Sequence, residues 1–275
     1  MCQGFFPNPD FISVAKNRLC SPCNLEPEDR LYLGMRTFVF FLYFWVTVAV
    51  SSPAALVLWT LDSAGFHFVR PVTGKLVRLW ARSLVVLLGI RAGVEGLQRI
   101  PKGTSVCYVS NHQGNFDIAL ILAYLPGCIG FITKSQAAWF PFLNLWIFAL
   151  GGVFLDRDRV SRARKAMERG IERLKSGAAM AVFPEGTRSR GPVMGEFHNG
   201  SFKLATRSGA VIVPISIQGT YRIWEERKSI VPAFVTMRAG EPIPTRGLDA
   251  EAKKKLPEVV RARISEGLAA VGSAL

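Results

Sequence analysis

One of the three histidines of this chain stands five residues before an aspartate, in the segment SNHQGNFD. His112 follows an apolar run, 104–110, that predicts a buried strand, and Asp117 precedes another, 118–125, that predicts a helix. Loops at the carboxyl ends of strands are where open α/β sheets place reactive side chains. A neutral imidazole can take a proton from an alcohol, and a carboxylate can fix its tautomer. The spacing therefore predicts a general base held by an aspartate, although a purely structural pair has the same spacing.

A second polar segment, PEGTRS, follows the predicted strand AAMAVF at 178–183. Arg188 can bind two oxygens of a phosphate at once, Thr187 can donate a hydrogen bond, and turn amides can surround an anion. This composition predicts a phosphate-binding loop, with an ordinary solvated turn as the alternative. The charge of Glu185 would repel an anion, so we expect this residue to orient Arg188 or to bind a glycerol hydroxyl.

Two more basic residues stand at the ends of predicted strands. Lys134 follows the apolar segment 128–133, and Arg157 follows GGVFL and lies between Asp156 and Asp158, either of which can pair with it. If all four strand ends share one edge of a sheet, these residues form a basic pocket with the histidine and arginine described above.

Composition limits the class of protein and of partner. The 275 residues, 49% of them hydrophobic, can fill the core of one sizeable domain, which excludes a disordered or fibrous chain. A formal net charge of +14 predicts an anionic partner. Long apolar runs favour membrane lipids over nucleic acid.

The five cysteines form no regular framework, which predicts a reducing compartment. Cys20 and Cys23 have the CxxC spacing of zinc ligands, but no second pair or histidine cluster completes a site. We therefore predict no metal.

A membrane-associated segment is predicted near the N-terminus. Residues 38–61 carry no charge, and as a helix they would span roughly 36 Å, enough to cross a bilayer. The alternatives are a buried core helix and a division into two helices at Ser51-Ser52-Pro53. The position of this run, behind Glu26, Glu28 and Asp29, is not that expected of a cleaved signal peptide.

Residues 74–90 predict an amphipathic helix. Lys75, Arg78 and Arg82 share one side of it, where they would meet lipid phosphates at the membrane surface. A solvated helix packed on a core has the same pattern.

Beyond residue 95 short apolar strands alternate with helices, which predicts an α/β fold. We predict an N-terminal extension (1–30), a membrane-associated helical segment (31–94) and a catalytic domain (95–275). Within that domain we expect a strand pair at 228–239 turned near Pro232, and a helical tail from Asp249 that is broken at Pro257.

Four ordered segments resemble those of the PlsC-type glycerolipid acyltransferases, the 1-acyl-sn-glycerol-3-phosphate acyltransferase family. NHQGNFD is similar to the family's NHxxxxD motif, and it is followed by GVFLDR, FPEGTRS and IVPISI, with Pro214 in the expected place. The resemblance runs from about Gly96 to Gly219.

The resemblance implies transfer of an acyl chain from acyl-CoA or acyl carrier protein to the sn-2 hydroxyl of lysophosphatidic acid, without an acyl-enzyme. It implies a mixed sheet flanked by helices, an N-terminal helical motif embedded in one leaflet, and no cofactor besides the donor. The active site would face the cytoplasm, at the inner membrane in a bacterium. The implied site comprises the general base His112, its partner Asp117, and the glycerol phosphate ligands Arg157, Glu185, Gly186, Thr187 and Arg188.

The chain departs from the family pattern after the third motif. Many relatives carry two lysines before a glycine there, whereas this chain has FHNG at 197–200 and Lys203 as the nearest basic residue. The acceptor therefore stays open among lysophosphatidic acid, another lysophospholipid, lyso-ornithine lipid and glycerol 3-phosphate, and His198 is either a second ligand or a surface residue. A non-catalytic membrane-binding protein is the alternative of a different class, but such a protein has no use for a base.

Overall fold

The computed structural model describes residues 27–156 and 159–272, which fold around a seven-stranded sheet. The strands are β1 (Arg91–Glu95), β2 (Val106–Ser110), β3 (Ile129–Lys134), β4 (Val153–Leu155), β5 (Ala179–Val182), β6 (Val211–Gln218) and β7 (Phe234–Ala239). They lie in the order β1-β7-β6-β2-β5-β3-β4. The five strands from β6 to β4 are parallel, whereas β7 runs antiparallel to β6 and pairs in parallel with β1. The predicted mixed α/β fold is confirmed.

Helices cover both faces of this sheet. Those of the described residues are α1 (Pro27–Ser63), α2 (Val69–Leu87), α3 (Asp117–Tyr124), α4 (Leu143–Ala149), α5 (Val160–Lys175), α6 (Lys203–Ser208), α7 (Tyr221–Trp224) and α8 (Ala250–Gly272). Successive residues of a strand point to opposite faces. Tyr108 of β2 accordingly packs with Leu84 of α2 and Ile121 of α3, while Cys107 lies in a second core with Leu174 of α5.

Two predictions that depended on prolines are wrong. Residues 228–239 contain one strand, β7, instead of a strand pair, because the preceding segment pairs elsewhere: Ile230 N–H donates to Thr37 Oγ1 of α1 at 2.9 Å. The tail is not broken at Pro257 either, since α8 continues through it. Val260 and Ile264, both fully buried, hold the helix against the sheet beyond the proline.

Helix α1 is a single helix of 37 residues, so the alternative of two shorter helices is wrong. Pro53 has no N–H to donate to the carbonyl of Ala49, one turn earlier. The hydroxyl of Ser52 donates to that carbonyl instead, at 2.8 Å. Trp146 donates its indole N–H to Ser51 Oγ at 3.0 Å, which ties the same turn to α4.

The outward faces of α1 and α2 are apolar. The segment Glu28–Ser63 is long and apolar enough to cross a membrane, and only 17% of its most apolar stretch is buried within the protein. Large exposed apolar surfaces mark interaction sites. The exposed side chains here include Leu31, Phe38, Val39, Leu42, Val46, Val50, Val57, Val72, Leu76, Leu79 and Val86. This surface makes α1 a candidate membrane segment.

Helix α2 packs on the core, but its sides are not those that the sequence pattern predicted. Leu76 and Leu79 are exposed, whereas Arg78 and Arg82 bind the neighbouring helix α3. Arg78 donates to the carbonyl of Leu125 and Arg82 to that of Ala123, both at 3.1 Å. These two carbonyls belong to the end of α3, where backbone acceptors lack partners within the helix and favour cations. The two guanidiniums thus cap α3, a role that the sequence pattern did not predict.

The two described cysteines, Cys107 and Cys128, are buried and free. Burial raises the pKa of the Cys107 thiol to about 12, so this residue is an unreactive apolar side chain. Cys2, Cys20 and Cys23 lie outside the described residues.

A buried ion cluster that the sequence did not predict joins α1 to α5. Asp62, 8% exposed, accepts hydrogen bonds from His67 Nδ1 at 2.9 Å and Arg70 Nε at 2.7 Å. The guanidinium of Arg173 on α5 binds its other carboxylate oxygen. The cluster fixes the end of the candidate membrane helix to α5, and through it to the sheet.

We expect Asp62→Ala to lower the free energy of unfolding by about 3–5 kcal/mol, because it leaves two largely buried guanidiniums without their counter-charge. Guanidinium chloride unfolding in detergent micelles measures this. Glu172→Ala is the matched control, since it breaks a pair with Lys175 in which both side chains are more than half exposed. The control should cost less than about 1 kcal/mol. Equal losses in the two variants would contradict the structural role of Asp62.

Candidate active site

The loop from Asn111 to Phe116 joins β2 to α3 at the carboxyl edge of the parallel strands. Two buried amide side chains fix it to β6 and the residue after it. Asn111 donates to the carbonyl of Ile217 and accepts from its N–H, both at 2.8 Å, and Gln113 Oε1 accepts from Gly219 N–H at 2.8 Å. These hydrogen bonds fix the backbone of the loop independently of the side chains of His112 and Asp117.

Asp117 is fully buried, and both of its carboxylate oxygens accept hydrogen bonds. Oδ2 accepts from Nδ1 of His112 at 2.8 Å and from the N–H groups of Gln113 at 2.7 Å and Gly114 at 2.9 Å. Oδ1 accepts from the hydroxyl of Thr220 at 2.5 Å. An ionised carboxylate can only accept, so the proton of the imidazole lies on Nδ1 and Nε2 keeps its lone pair.

The imidazole of His112 is further fixed by the ring of Phe183, which stacks on it at 3.9 Å between centroids with an interplanar angle of 14°. The side chain is 15% exposed, so a substrate can reach it. The structure thus brings together the predicted base and its aspartate partner, in the orientation that general-base chemistry needs.

The PEGTRS loop lies alongside the histidine loop. Ser189 N–H donates to the carbonyl of His112 at 2.8 Å, and Arg190 N–H to that of Gln113 at 3.1 Å, extending the β2–β5 pairing beyond the strands. Gly186 has a φ of 68° in the turn, a conformation that favours glycine. The turn places the side chain of Arg188 near the histidine loop.

The structure corrects the predicted partner of Glu185. This residue is 5% exposed, and its two oxygens accept from the N–H groups of His112 at 2.7 Å and Gly195 at 2.8 Å. Burial raises the pKa of its carboxyl, and the two amide hydrogen bonds oppose that rise. Because both oxygens bind backbone amides, Glu185 does not orient Arg188. It holds the backbone of the histidine loop and of Gly195 instead.

Arg188 is oriented by Glu225 and Asn115. Its Nη1 donates to Asn115 Oδ1 at 2.5 Å and to Glu225 Oε1 at 3.2 Å. The side chain of Arg188 is 32% exposed, so it is available to an anion from solvent or the membrane surface.

Of the other predicted ligands, Thr187 and Lys134 can be placed at or beside the ends of β5 and β3. Thr187 is exposed beside Arg188. Lys134 ends β3, a neighbour of β5, and its exposed side chain makes no hydrogen bond or ion pair within the described ranges. Arg157 lies outside the described residues. His198 is exposed, in agreement with the surface interpretation. The substrate-binding roles of all six predicted ligands stay predictions: Lys134, Arg157, Glu185, Gly186, Thr187 and Arg188.

The sequence analysis did not predict two residues that bind the site residues through hydrogen bonds, Thr220 to Asp117 and Glu225 to Asn115 and Arg188. Thr220 and Glu225 follow β6, whose carboxyl end lies at the same edge as that of β2. For Thr220, which closely follows the strand, that position was the available signal, because polar residues directly after a parallel strand lie at the functional edge of the sheet. Glu225 lies beyond α7, so its position gave no such signal.

Comparison with known proteins agrees with this geometry. Residues 91–218 match the family model described as Acyltransferase. The chloroplastic 1-acyl-sn-glycerol-3-phosphate acyltransferase of Arabidopsis thaliana is 32% identical over 203 residues, which cover 72% of this chain and 55% of that relative. The human 1-acyl-sn-glycerol-3-phosphate acyltransferase alpha is 30% identical over 190 residues, covering 68% of this chain and 67% of the relative. The match with the plant relative thus spans little more than half of its length.

A solved structure is similar over most of the chain. The crystal structure of the 1-acyl-sn-glycerophosphate acyltransferase PlsC from Thermotoga maritima superimposes with a TM-score of 0.72. The two chains are 29% identical, and the match covers 87% of this chain and 98% of the other. On its ordered motifs, its mixed sheet and these relatives, the chain belongs to the PlsC-type glycerolipid acyltransferase family.

Proposed function

We propose that this protein transfers a fatty acyl chain from acyl-CoA or acyl carrier protein to the sn-2 hydroxyl of 1-acyl-sn-glycerol 3-phosphate, giving phosphatidic acid. The observation that carries the proposal is the His112–Asp117 pair, in which the lone pair of Nε2 is free and an oriented Arg188 lies at the next loop. The names of the plant and human relatives support 1-acyl-sn-glycerol 3-phosphate as the acceptor.

The order of the proton transfers follows from the tautomer of His112, with its proton on Nδ1 and its lone pair on Nε2. Nε2 of His112 takes the proton of the acceptor hydroxyl as its oxygen attacks the thioester carbonyl. The C–S bond of the tetrahedral intermediate then breaks, and the imidazolium returns the proton to the leaving thiolate. Asp117 stabilises the imidazolium between these two steps.

Direct transfer is supported by the state of the nearby hydroxyls. Ser110 is fully buried and donates to the carbonyl of Asn111, and Thr220 donates to Asp117. Ser189 donates to the carbonyl of Gly191. Each of these hydroxyls is bound to another acceptor, so none is activated by the imidazole as a nucleophile would be.

The surroundings suit an acceptor that arrives from a membrane. Phe40 of the candidate membrane helix packs on Phe116, next to Asp117, at 5.5 Å between ring centroids. The candidate membrane helix therefore packs directly against the loop that carries His112. We propose that the site faces the cytoplasm, where acyl thioesters are made, and the inner membrane if the source is a bacterium.

Purified protein given labelled oleoyl-CoA and a panel of acceptors tests the proposal. We expect the highest kcat/KM with lysophosphatidate, ahead of other lysophospholipids, lyso-ornithine lipid and glycerol 3-phosphate. Faster turnover of another acceptor would show that lysophosphatidate is not the preferred acceptor, and the proposed acyl-transfer mechanism would still hold. Lipid binding without turnover of any acceptor, with either acyl-CoA or acyl carrier protein as donor, would overturn the enzymatic proposal.

Arg188→Gln should raise the KM for lysophosphatidate about 10- to 100-fold, since it removes charge-assisted hydrogen bonds to the phosphate. The kcat should change little, because the histidine and its aspartate partner are untouched. Arg164→Gln, the same change at an exposed site on α5, should leave both constants unaltered. An unchanged KM in Arg188→Gln would assign the phosphate to another residue.

A further inference from the structure

Glu225 is a buried carboxylate that the proposed chemistry does not use. It follows α7, in the connection between β6 and β7, and its side chain is 1% exposed. Burial of a carboxylate is costly unless it is paired, and glutamates are rarely buried without such a partner. We therefore expect the groups that bind the Glu225 carboxylate to explain why it is buried.

One oxygen of Glu225 joins the two loops of the site. Oε1 accepts from the backbone N–H of Asn115 at 2.8 Å and from Nη1 of Arg188 at 3.2 Å. Asn115 Oδ1 accepts from the same Nη1 at 2.5 Å. Nη1 is thus bound to the protein, whereas Nε and Nη2 have no protein partner in the described part of the chain, which leaves the other edge of the guanidinium for a ligand.

The other oxygen shows how tightly this carboxylate is packed. Oε2 is buried and has no hydrogen-bond partner among the described residues. It lies against Gly114, where an added Cβ would stand only 2.6 Å away. The carboxylate is thus wedged against the backbone of the histidine loop, and Arg188 is the cation that balances its charge.

The connection that carries Glu225 holds the histidine loop at three points. Gly219 binds Gln113, Thr220 binds Asp117, and Glu225 binds Asn115. The first two contacts fix the catalytic pair. Glu225 alone of these three residues also binds Arg188 of the neighbouring loop. It therefore fixes the position of the Arg188 guanidinium relative to His112.

We propose that Glu225 is a positioning residue for the acceptor phosphate. It holds one edge of the Arg188 guanidinium so that the opposite edge faces the phosphate, at a fixed distance from His112. The inference rests on the proposed function, in which Arg188 binds that phosphate. Glu225 itself touches no substrate, and its negative charge lowers the net positive charge of the pocket. Its effect on binding is therefore through the geometry of Arg188.

Glu225→Gln tests this role, because the amide keeps an acceptor for Asn115 N–H but loses the charge that holds Arg188. We expect the KM for lysophosphatidate to rise about tenfold, with kcat within about threefold of the parent and an unchanged KM for oleoyl-CoA. In the Arg188→Gln background, Glu225→Gln should change the KM less than about twofold, since the two residues act as one unit. Glu226→Gln, an exposed neighbour, is the matched control.

The outcomes separate this inference from the proposed function. If Arg188→Gln leaves the KM for lysophosphatidate unchanged, both the phosphate role of Arg188 and the role of Glu225 fail. If Arg188→Gln raises that KM and Glu225→Gln does not, the positioning role alone is wrong. A fall in kcat with both KM values raised, or effects of the two changes that multiply, would show that Glu225 only stabilises the fold.

A second variant covers the case in which Glu225→Gln does not fold. Asn115→Ala removes the other acceptor of Arg188 Nη1 and keeps the backbone N–H that Glu225 binds. It should also raise the KM for lysophosphatidate several-fold at nearly constant kcat. An unchanged KM in this variant would overturn the anchoring of Arg188 through Nη1.

Discussion

Replacing His112 by alanine is expected to lower kcat by at least about 10²- to 10⁴-fold, the usual contribution of a general base. The hydroxyl of the acceptor would have to attack the thioester without losing its proton to the protein. The KM for lysophosphatidate should stay near that of the parent, since the Arg188 loop is intact. Turnover of labelled oleoyl-CoA and lysophosphatidate by purified protein measures both constants.

The control for this change is His198→Ala, which removes an exposed imidazole and should leave kcat unaltered. Quenching the parent enzyme during turnover with labelled donor provides an independent check on direct transfer. No label should stay attached to the protein after denaturation. Normal turnover by His112→Ala, or a covalently labelled parent, would sink the proposed mechanism.

The sequence predicted the local parts of the site correctly, because they lie in one loop or at equivalent strand ends. His112 and Asp117 are five residues apart and meet through a single hydrogen bond at the start of α3. Arg188 lies nearby because β2 and β5 are parallel neighbours, whose carboxyl ends share an edge of the sheet. The positions of these strands and of α3 can be predicted from the spacing of apolar residues alone.

The parts that the sequence did not predict depend on contacts between distant residues. Thr220 reaches Asp117 across 103 positions, and Glu225 reaches Asn115 across 110. The position of Thr220 after β6 indicated the edge of the sheet, but the sequence does not identify the partner of either residue, since tertiary packing alone brings these pairs together. Likewise, only the fold shows that the partners of Glu185 are the backbone amides of His112 and Gly195.

The alternative of a helix break at Pro53 and the predicted break at Pro257 are also wrong because of contacts that the local sequence does not reveal. The cost of a proline within a helix can be offset by groups that the local pattern does not reveal. Ser52 supplies the donor that Pro53 lacks, and the buried face of α8 holds that helix together beyond Pro257.

Asparagine in place of Asp117 is expected to lower kcat about 10²- to 10⁴-fold without raising the KM for lysophosphatidate. The amide oxygen can still accept from His112 Nδ1 and from the two backbone N–H groups at Oδ2, and the hydroxyl of Thr220 can turn to accept from the amide nitrogen. The tautomer of the imidazole would then be kept. What the variant loses is the buried negative charge that stabilises the imidazolium while the thioester reacts.

Two measurements distinguish the charge of Asp117 from its hydrogen-bond geometry. Thr220→Val removes one hydrogen bond to Asp117 and leaves its charge, so kcat should fall only several-fold. Nitrogen-15 spectra of the histidine ring should show the same tautomer in Asp117→Asn as in the parent. Asp249→Asn, which makes the same change at the exposed N-cap of α8, is the control and should not affect kcat. If Asp117→Asn kept kcat within tenfold of the parent, hydrogen bonding alone would suffice, and the imidazolium would need no buried counter-charge.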